Sequence, residues 1–151
     1  MPTKPTAIVT GGSRGVGRSI VALLATESQV VFTYRRDEQA AAALVEEVAA
    51  TGGEAFAVRA DFGRSGEATR VDTVLSEFDG LSMIVGNAGI ASRGESAAQT
   101  TEAEYLKLFQ VHTLANVELV RAALPALRER RGAVVFISSV VSSMLPVGTA
   151  P

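Results

Sequence analysis

The 151-residue chain contains no cysteine and no tryptophan, and only one histidine. Without cysteine there is no disulfide scaffold, thiolate zinc site, iron–sulfur cluster or cysteine nucleophile. A single His112 cannot build a histidine-rich cage, so no metal site is expected. Charge of one sign is also lacking. Fourteen Lys plus Arg against sixteen Asp plus Glu gives a net charge of −2 and no basic tract, which argues against a nucleic-acid role. No apolar run approaches the ~18 residues of a membrane span, and no membrane role is expected. The opening Met1-Pro2-Thr3-Lys4-Pro5 runs straight into a strand-like segment, without the long apolar stretch of a secretory signal. These absences lead us to expect a soluble, cytoplasmic protein. A 47% apolar and 20% charged composition is that of an ordinary globular domain.

Short apolar runs alternate with longer helix-compatible ones. Strands are expected at 6–10, 29–34, 55–60, 81–85 and 133–138. Helices are expected from Ser19 to Thr26, after an Asp37 cap to Ala50, after a Ser65 cap to about Phe78, and unbroken from the capping box Thr101-Glu102-Ala103-Glu104 to about Arg130. Gly52-Gly53 and Gly132 end two of these helices. Residues 91–99 and 140–151, the latter including Ser142 and Ser143, read as loops. The result is β-α-β-α-β-α-β-α-β at about 25–30 residues per unit. That is an α/β chain with a three-layer, doubly wound parallel sheet of Rossmann-like type, and we treat 1–151 as a single domain.

Thr10-Gly11-Gly12-Ser13-Arg14-Gly15-Val16-Gly17 lies between the first strand and the first helix. A glycine-rich turn in that context aims backbone N–H groups and the positive helix end at an anion such as a pyrophosphate. Gly11 and Gly15 allow unusual φ and close approach. Gly17 can bring the helix tightly onto the sheet.

The Gly-x-x-x-Gly-x-Gly spacing after Thr10 resembles the turn of the short-chain dehydrogenase/reductase family, and further features match it in order. Asp61, followed by Phe62, matches the Asp that contacts adenine. Asn87-Ala88-Gly89 matches the N-A-G motif, with Gly86 where a second Asn is common. The long capped helix matches the subunit-interface helix, and Ile137-Ser138-Ser139 the segment that carries the catalytic Ser. Members similar over these motifs include the 3-oxoacyl-carrier-protein reductases. The resemblance implies a strand order of 3-2-1-4-5 with later strands missing from this chain, and a homo-oligomer.

The second strand ends Thr33-Tyr34-Arg35-Arg36, with no carboxylate where NAD-selective sites place one. Arg14 in the turn, with Arg35 or Arg36, suits a 2′-phosphate by charge and fork geometry. The expected cofactor is therefore NADP(H), held by Gly11, Ser13, Arg14, Gly15, Val16, Gly17, Tyr34, Arg35, Arg36, Asp61, Phe62, Asn87, Ala88 and Gly89. Tyr34 either stacks on adenine or packs, and the alternative for Asp61 is a structural cap.

The resemblance implies hydride transfer between nicotinamide and a carbonyl or secondary-alcohol carbon, with reduction the better direction. In the family a Ser hydrogen-bonds the substrate oxygen, and a Tyr whose pKa is lowered by a Lys moves the proton. Ser139 is the expected substrate-facing Ser. The Tyr follows that Ser by about thirteen positions, which falls beyond Pro151. Neither Tyr34 nor Tyr105 replaces it, since the only lysines are Lys4 and Lys107. These residues are therefore expected to be the inactive N-terminal part of a longer enzyme; the alternative is a non-catalytic NADP(H)-binding or sensor protein. The isolated 151 residues are expected to be marginally stable, with the fifth strand as an uncovered edge.

His112 occupies the position of the Asn that completes the catalytic tetrad. Its backbone carbonyl survives the change. Its ring either bridges a water or relays a proton, or is a partly buried group bonded to backbone. Asn116, one turn on, reads as a packing or surface amide.

Overall fold

Beta-branched and aromatic residues dominate the short apolar runs, and these pair side by side. The computed structural model describes residues 4–78, 80–96 and 98–140. Five parallel strands, β1 (Thr6–Val9), β2 (Gln29–Tyr34), β3 (Glu54–Arg59), β4 (Leu81–Gly86) and β5 (Ala133–Phe136), form one sheet in the order β3-β2-β1-β4-β5. Register runs Ile8 against Val31 and Ile84, and Val85 against Val135. Helices α1 (Gly15–Leu24), α2 (Glu38–Ala50), α3 (Glu67–Leu75), α4 (Glu102–Phe109) and α5 (Ala115–Arg130) connect them.

Successive strand side chains face opposite ways, so the sheet buries apolar residues on both faces. Ile8, Val31 and Ile84 pack with Val71 and Leu75 of α3 and Leu119, Ala123 and Leu127 of α5. Val9, Val30, Phe32 and Val85 pack with Val21 of α1 and Leu44 and Val48 of α2. These are the three layers and the strand order expected from the sequence.

Several boundaries differ. α1 starts at Gly15, four residues before Ser19, because the end of the glycine turn is itself the first helical turn. α3 starts at Glu67. Gly66, at φ 82°, precedes it and its carbonyl accepts from Arg70 N–H, so Ser65 is not its cap. Asp37 caps α2 as expected, accepting from Ala40 N–H at 2.9 Å. The capping box at Thr101 is half made. Thr101 Oγ1 accepts from Glu104 N–H, but Glu104 Oε1 instead takes Arg93 N–H at 2.6 Å. The long helix is interrupted: Gln110–Leu114 form a π-turn between α4 and α5, with Ala115 N–H bonded to Gln110 O. Residues 141–151, with Ser142 and Ser143, lie outside the described residues.

Candidate functional site

The strand order reverses between β1 and β4, and in open α/β sheets ligands bind outside the strand ends at such a switch point. A cleft of about 430 Å³ opens there. Its walls come from the β1–α1 turn, the ends of β2, β3 and β4, and Val111 of the π-turn.

Thr10 and Thr33 build the floor. Thr10 is buried, and its Oγ1 accepts from the N–H groups of both Asn87 and Ala88 at 2.9 Å. Thr33, buried on the neighbouring strand, accepts Gly11 N–H on its Oγ1 at 3.0 Å and Gly12 N–H on its carbonyl at 2.8 Å. Asn87 Nδ2 donates to the carbonyls of Thr10 and Gly11. Two strand ends and the turn are thus one hydrogen-bonded unit.

Each glycine has its own reason. Gly11, at φ 67°, runs so close to β4 that a Cβ there would lie 3.0 Å from Ala88 Cα. At Gly17 a Cβ would strike the Gly11 carbonyl and lie 2.5 Å from Asn87 Nδ2. Gly17 therefore makes room for the turn and for Asn87. Close packing onto the sheet belongs instead to Gly12, where a Cβ would sit 2.6 Å from Phe32 Cβ and 2.8 Å from Val21 Cγ2. Gly15, at φ 55°, faces open space.

The start of α1 has no side-chain cap from Arg14 and no acidic residue in its first turn. The first N–H groups of a helix have no intrahelical partner. The residues that carry them here, Gly15, Val16 and Gly17, line the cleft. An uncapped helix end beside an open glycine fits a diphosphate. Arg14 and Arg35 line the same cleft, as do Ser13, Tyr34, Asp61, Phe62, Asn87, Ala88 and Gly89. Arg36 is exposed and does not line it. Thr33, Ala60, Gly63, Ile90 and Val111 also line it, and none was singled out from the sequence. Ala60, Gly63, Ile90 and Val111 contribute backbone or apolar surface, which carries no motif, and Thr33 contributes the hydroxyl and carbonyl that hold Gly11 and Gly12.

Asp61 is fixed from two sides. Its Oδ1 accepts Gly63 N–H at 3.1 Å, and its own N–H donates to Glu67 Oε2 at 3.0 Å. The Arg70 guanidinium hydrogen-bonds Glu67 and, with the Asp61 N–H, holds the Glu67 carboxyl below its ordinary pKa against a smaller opposing effect of burial. The same guanidinium donates to the Arg59 carbonyl. Asp61 is thus both a turn-former and part of the cleft wall.

Ser139 is exposed and follows β5, whose ladder carries on as Ile137 N–H to Gly86 O at 2.9 Å. It stands at the cleft end of the sheet without lining the cleft. His112 is exposed, and its Nε2 lies 2.9 Å from Ile90 O and 3.2 Å from Ile90 N.

A doubly wound parallel sheet with a glycine cradle at its switch point defines a Rossmann-like, dinucleotide-binding class of fold. The chain belongs to the short-chain dehydrogenase family, whose sequence profile, described as short chain dehydrogenase, matches residues 5–151. It is 35% identical over 153 aligned residues to the 3-oxoacyl-[acyl-carrier-protein] reductase FabG of Staphylococcus aureus, covering 99% of this chain and 62% of that protein. Among solved structures, a metagenomic short-chain oxidoreductase in complex with NADP aligns with a TM-score of 0.88 at 32% identity, over 98% of this chain and 68% of that one. A short chain dehydrogenase from Burkholderia cenocepacia in complex with NADP aligns with a TM-score of 0.84 at 30% identity, over 97% and 60% respectively. The chain therefore spans about three fifths of the length of the curated relative it matches.

Proposed function

We propose that this chain is the NADP(H)-binding part of a short-chain dehydrogenase/reductase that exchanges hydride with a small-molecule carbonyl or secondary alcohol, with reduction favoured. One observation carries the reading. Gly15, Val16 and Gly17, the first residues of a helix without a side-chain cap, line a cleft that also holds Arg14 and Arg35. The backbone amides of 15–17 hold the diphosphate. Arg14 and Arg35 bind the 2′-phosphate, where a guanidinium gains both charge and two parallel hydrogen bonds. Asp61 and Phe62 bound the adenine end and Tyr34 flanks it. Asn87, Ala88 and Gly89 bound the other end. A nicotinamide held there would supply the hydride for carbonyl reduction. Ser139 hydrogen-bonds the substrate oxygen and so fixes the carbon that is attacked. Both solved relatives described above contain NADP, in support of this cofactor choice. The family resemblance also supports self-association through α4 and α5.

Fluorescence titration tests the cofactor. NADPH is expected to bind at least about tenfold more tightly than NADH, the worth of one charge-assisted contact or more. Equal affinities would remove the roles given to Arg14 and Arg35.

A further inference from the structure

Helix α3 docks on the sheet through the buried Val71 and Leu75, while two charged side chains near its start reach back to the end of β3. Glu67 and Arg70 are three residues apart and so share a helix face, and helical side chains lean toward the N-terminus. Glu67 Oε2 accepts Asp61 N–H at 3.0 Å. The Arg70 guanidinium donates to that same Glu67 oxygen at 3.0 Å and also to the Arg59 carbonyl. Between these contacts, Ala60 N–H donates to the Tyr34 carbonyl at 2.8 Å. Arg59, Ala60 and Asp61 are thus tied one after another where the chain leaves the sheet.

Neither Glu67 nor Arg70 lines the cleft, yet the adjoining Ala60, Asp61, Phe62 and Gly63 all do. Those four residues lie between β3 and α3, where no helix or strand ladder orders the backbone. The Glu67 side chain is only 20% exposed, so its hydrogen bonds are partly shielded from water. We infer that Glu67 and Arg70 are a pair of positioning residues that brace the end of β3 and thereby set the Asp61–Phe62 wall at the adenine end of the cleft. This rests on the NADP(H) reading above. A wall that is already ordered loses less entropy when a ligand arrives, so the brace should be felt as affinity.

Half of the cofactor makes a sharper probe than the whole. Adenosine 2′,5′-bisphosphate carries the adenine and the 2′-phosphate without the nicotinamide. Glu67→Ala removes the acceptor for Asp61 N–H, and Glu67→Gln keeps one. Val71 and Leu75 should hold α3 in place in both variants. The readouts are hydrogen exchange of the Asp61 amide and the dissociation constants of NADPH and adenosine 2′,5′-bisphosphate. In Glu67→Ala, Asp61 exchange should rise about tenfold, the worth of one hydrogen bond to a charged group, and both ligands should weaken several-fold by the same factor. Glu67→Gln should recover most of each loss. Unchanged Asp61 exchange in Glu67→Ala would overturn the brace. Faster exchange with both affinities unchanged, or a loss for NADPH that spares the bisphosphate, would overturn its role at the adenine end. Should Glu67→Ala fail to fold, Arg70→Met decides by the same readouts, with the same direction expected. If the unaltered chain bound neither ligand, the cofactor reading and the positioning role would both fall, while Asp61 exchange would still show whether the brace exists.

Discussion

Two threonines hold the cradle together, and single substitutions should expose this. Thr10→Val removes the acceptor for two backbone N–H groups, those of Asn87 and Ala88. Each unsatisfied buried donor costs about 1–3 kcal/mol. Both donors are only partly buried, so a loss of about 1–2 kcal/mol in urea unfolding is expected, with NADPH binding weakened as well. A change below ~0.5 kcal/mol would mean that the hydroxyl does not join the two strand ends. Glu67 gives a pH-dependent counterpart. Its folded pKa is lowered, chiefly by Arg70, so at acid pH the unfolded chain binds the extra proton. Its contribution is complete above the ordinary Glu pKa and fades as pH falls through the lowered value. Glu67→Gln should flatten the acid side of a melting-temperature profile, and an unchanged profile would contradict the role given to Glu67. The glycines, Asp61 and N-A-G were legible because each sits at a fixed offset from a strand end. Thr33 and Glu67 were not, because they act by bonding backbone N–H groups distant in sequence. His112 was legible as a departure from the family pattern, but its partner Ile90 was not, because no spacing rule links the π-turn to the segment after β4.

Element order and layering followed from the alternation of apolar runs, and the misplaced boundaries have separate causes. A helix that begins inside a glycine turn has no Ser, Thr or Asp at its start to announce it. At α1 the cap is missing altogether, so no side chain takes up its first N–H groups. The π-turn was hidden because a one-residue widening leaves the apolar spacing almost intact. Glu104 was read as half of a capping box, yet its carboxylate bonds Arg93 and ties the loop after β4 to α4. The half that did form is testable. Thr101→Ala should cost about 1 kcal/mol, read from urea unfolding. At the sheet edge, Val134, Val135 and Phe136 of β5 are all exposed, Phe136 by 55%. An apolar edge strand of this kind favours self-association. The 151-residue chain should bind an apolar dye such as ANS and associate at high concentration. Val135→Lys should reduce both effects, and an unaltered response would place the sticky surface elsewhere.

At the scale of the molecule, the sheet serves to bring three strand ends to one opening. Apolar side chains on both faces hold β1 between β2 and β4, and the order reversal leaves a gap that the glycine turn lines. Leu119 is fully buried in the α3–α5 layer. Leu119→Ala should cost about 2–5 kcal/mol and loosen that layer as a unit. The cofactor claim is separate from this stability, because it depends on backbone donors that no core side chain supplies. Diffraction from crystals soaked in NADPH addresses it most directly. Diphosphate density should lie within hydrogen-bonding reach of the amides of Gly15, Val16 and Gly17, with the 2′-phosphate beside Arg14 and Arg35. Density for NADPH lying anywhere else, or a cradle closed off by side chains, would contradict the account.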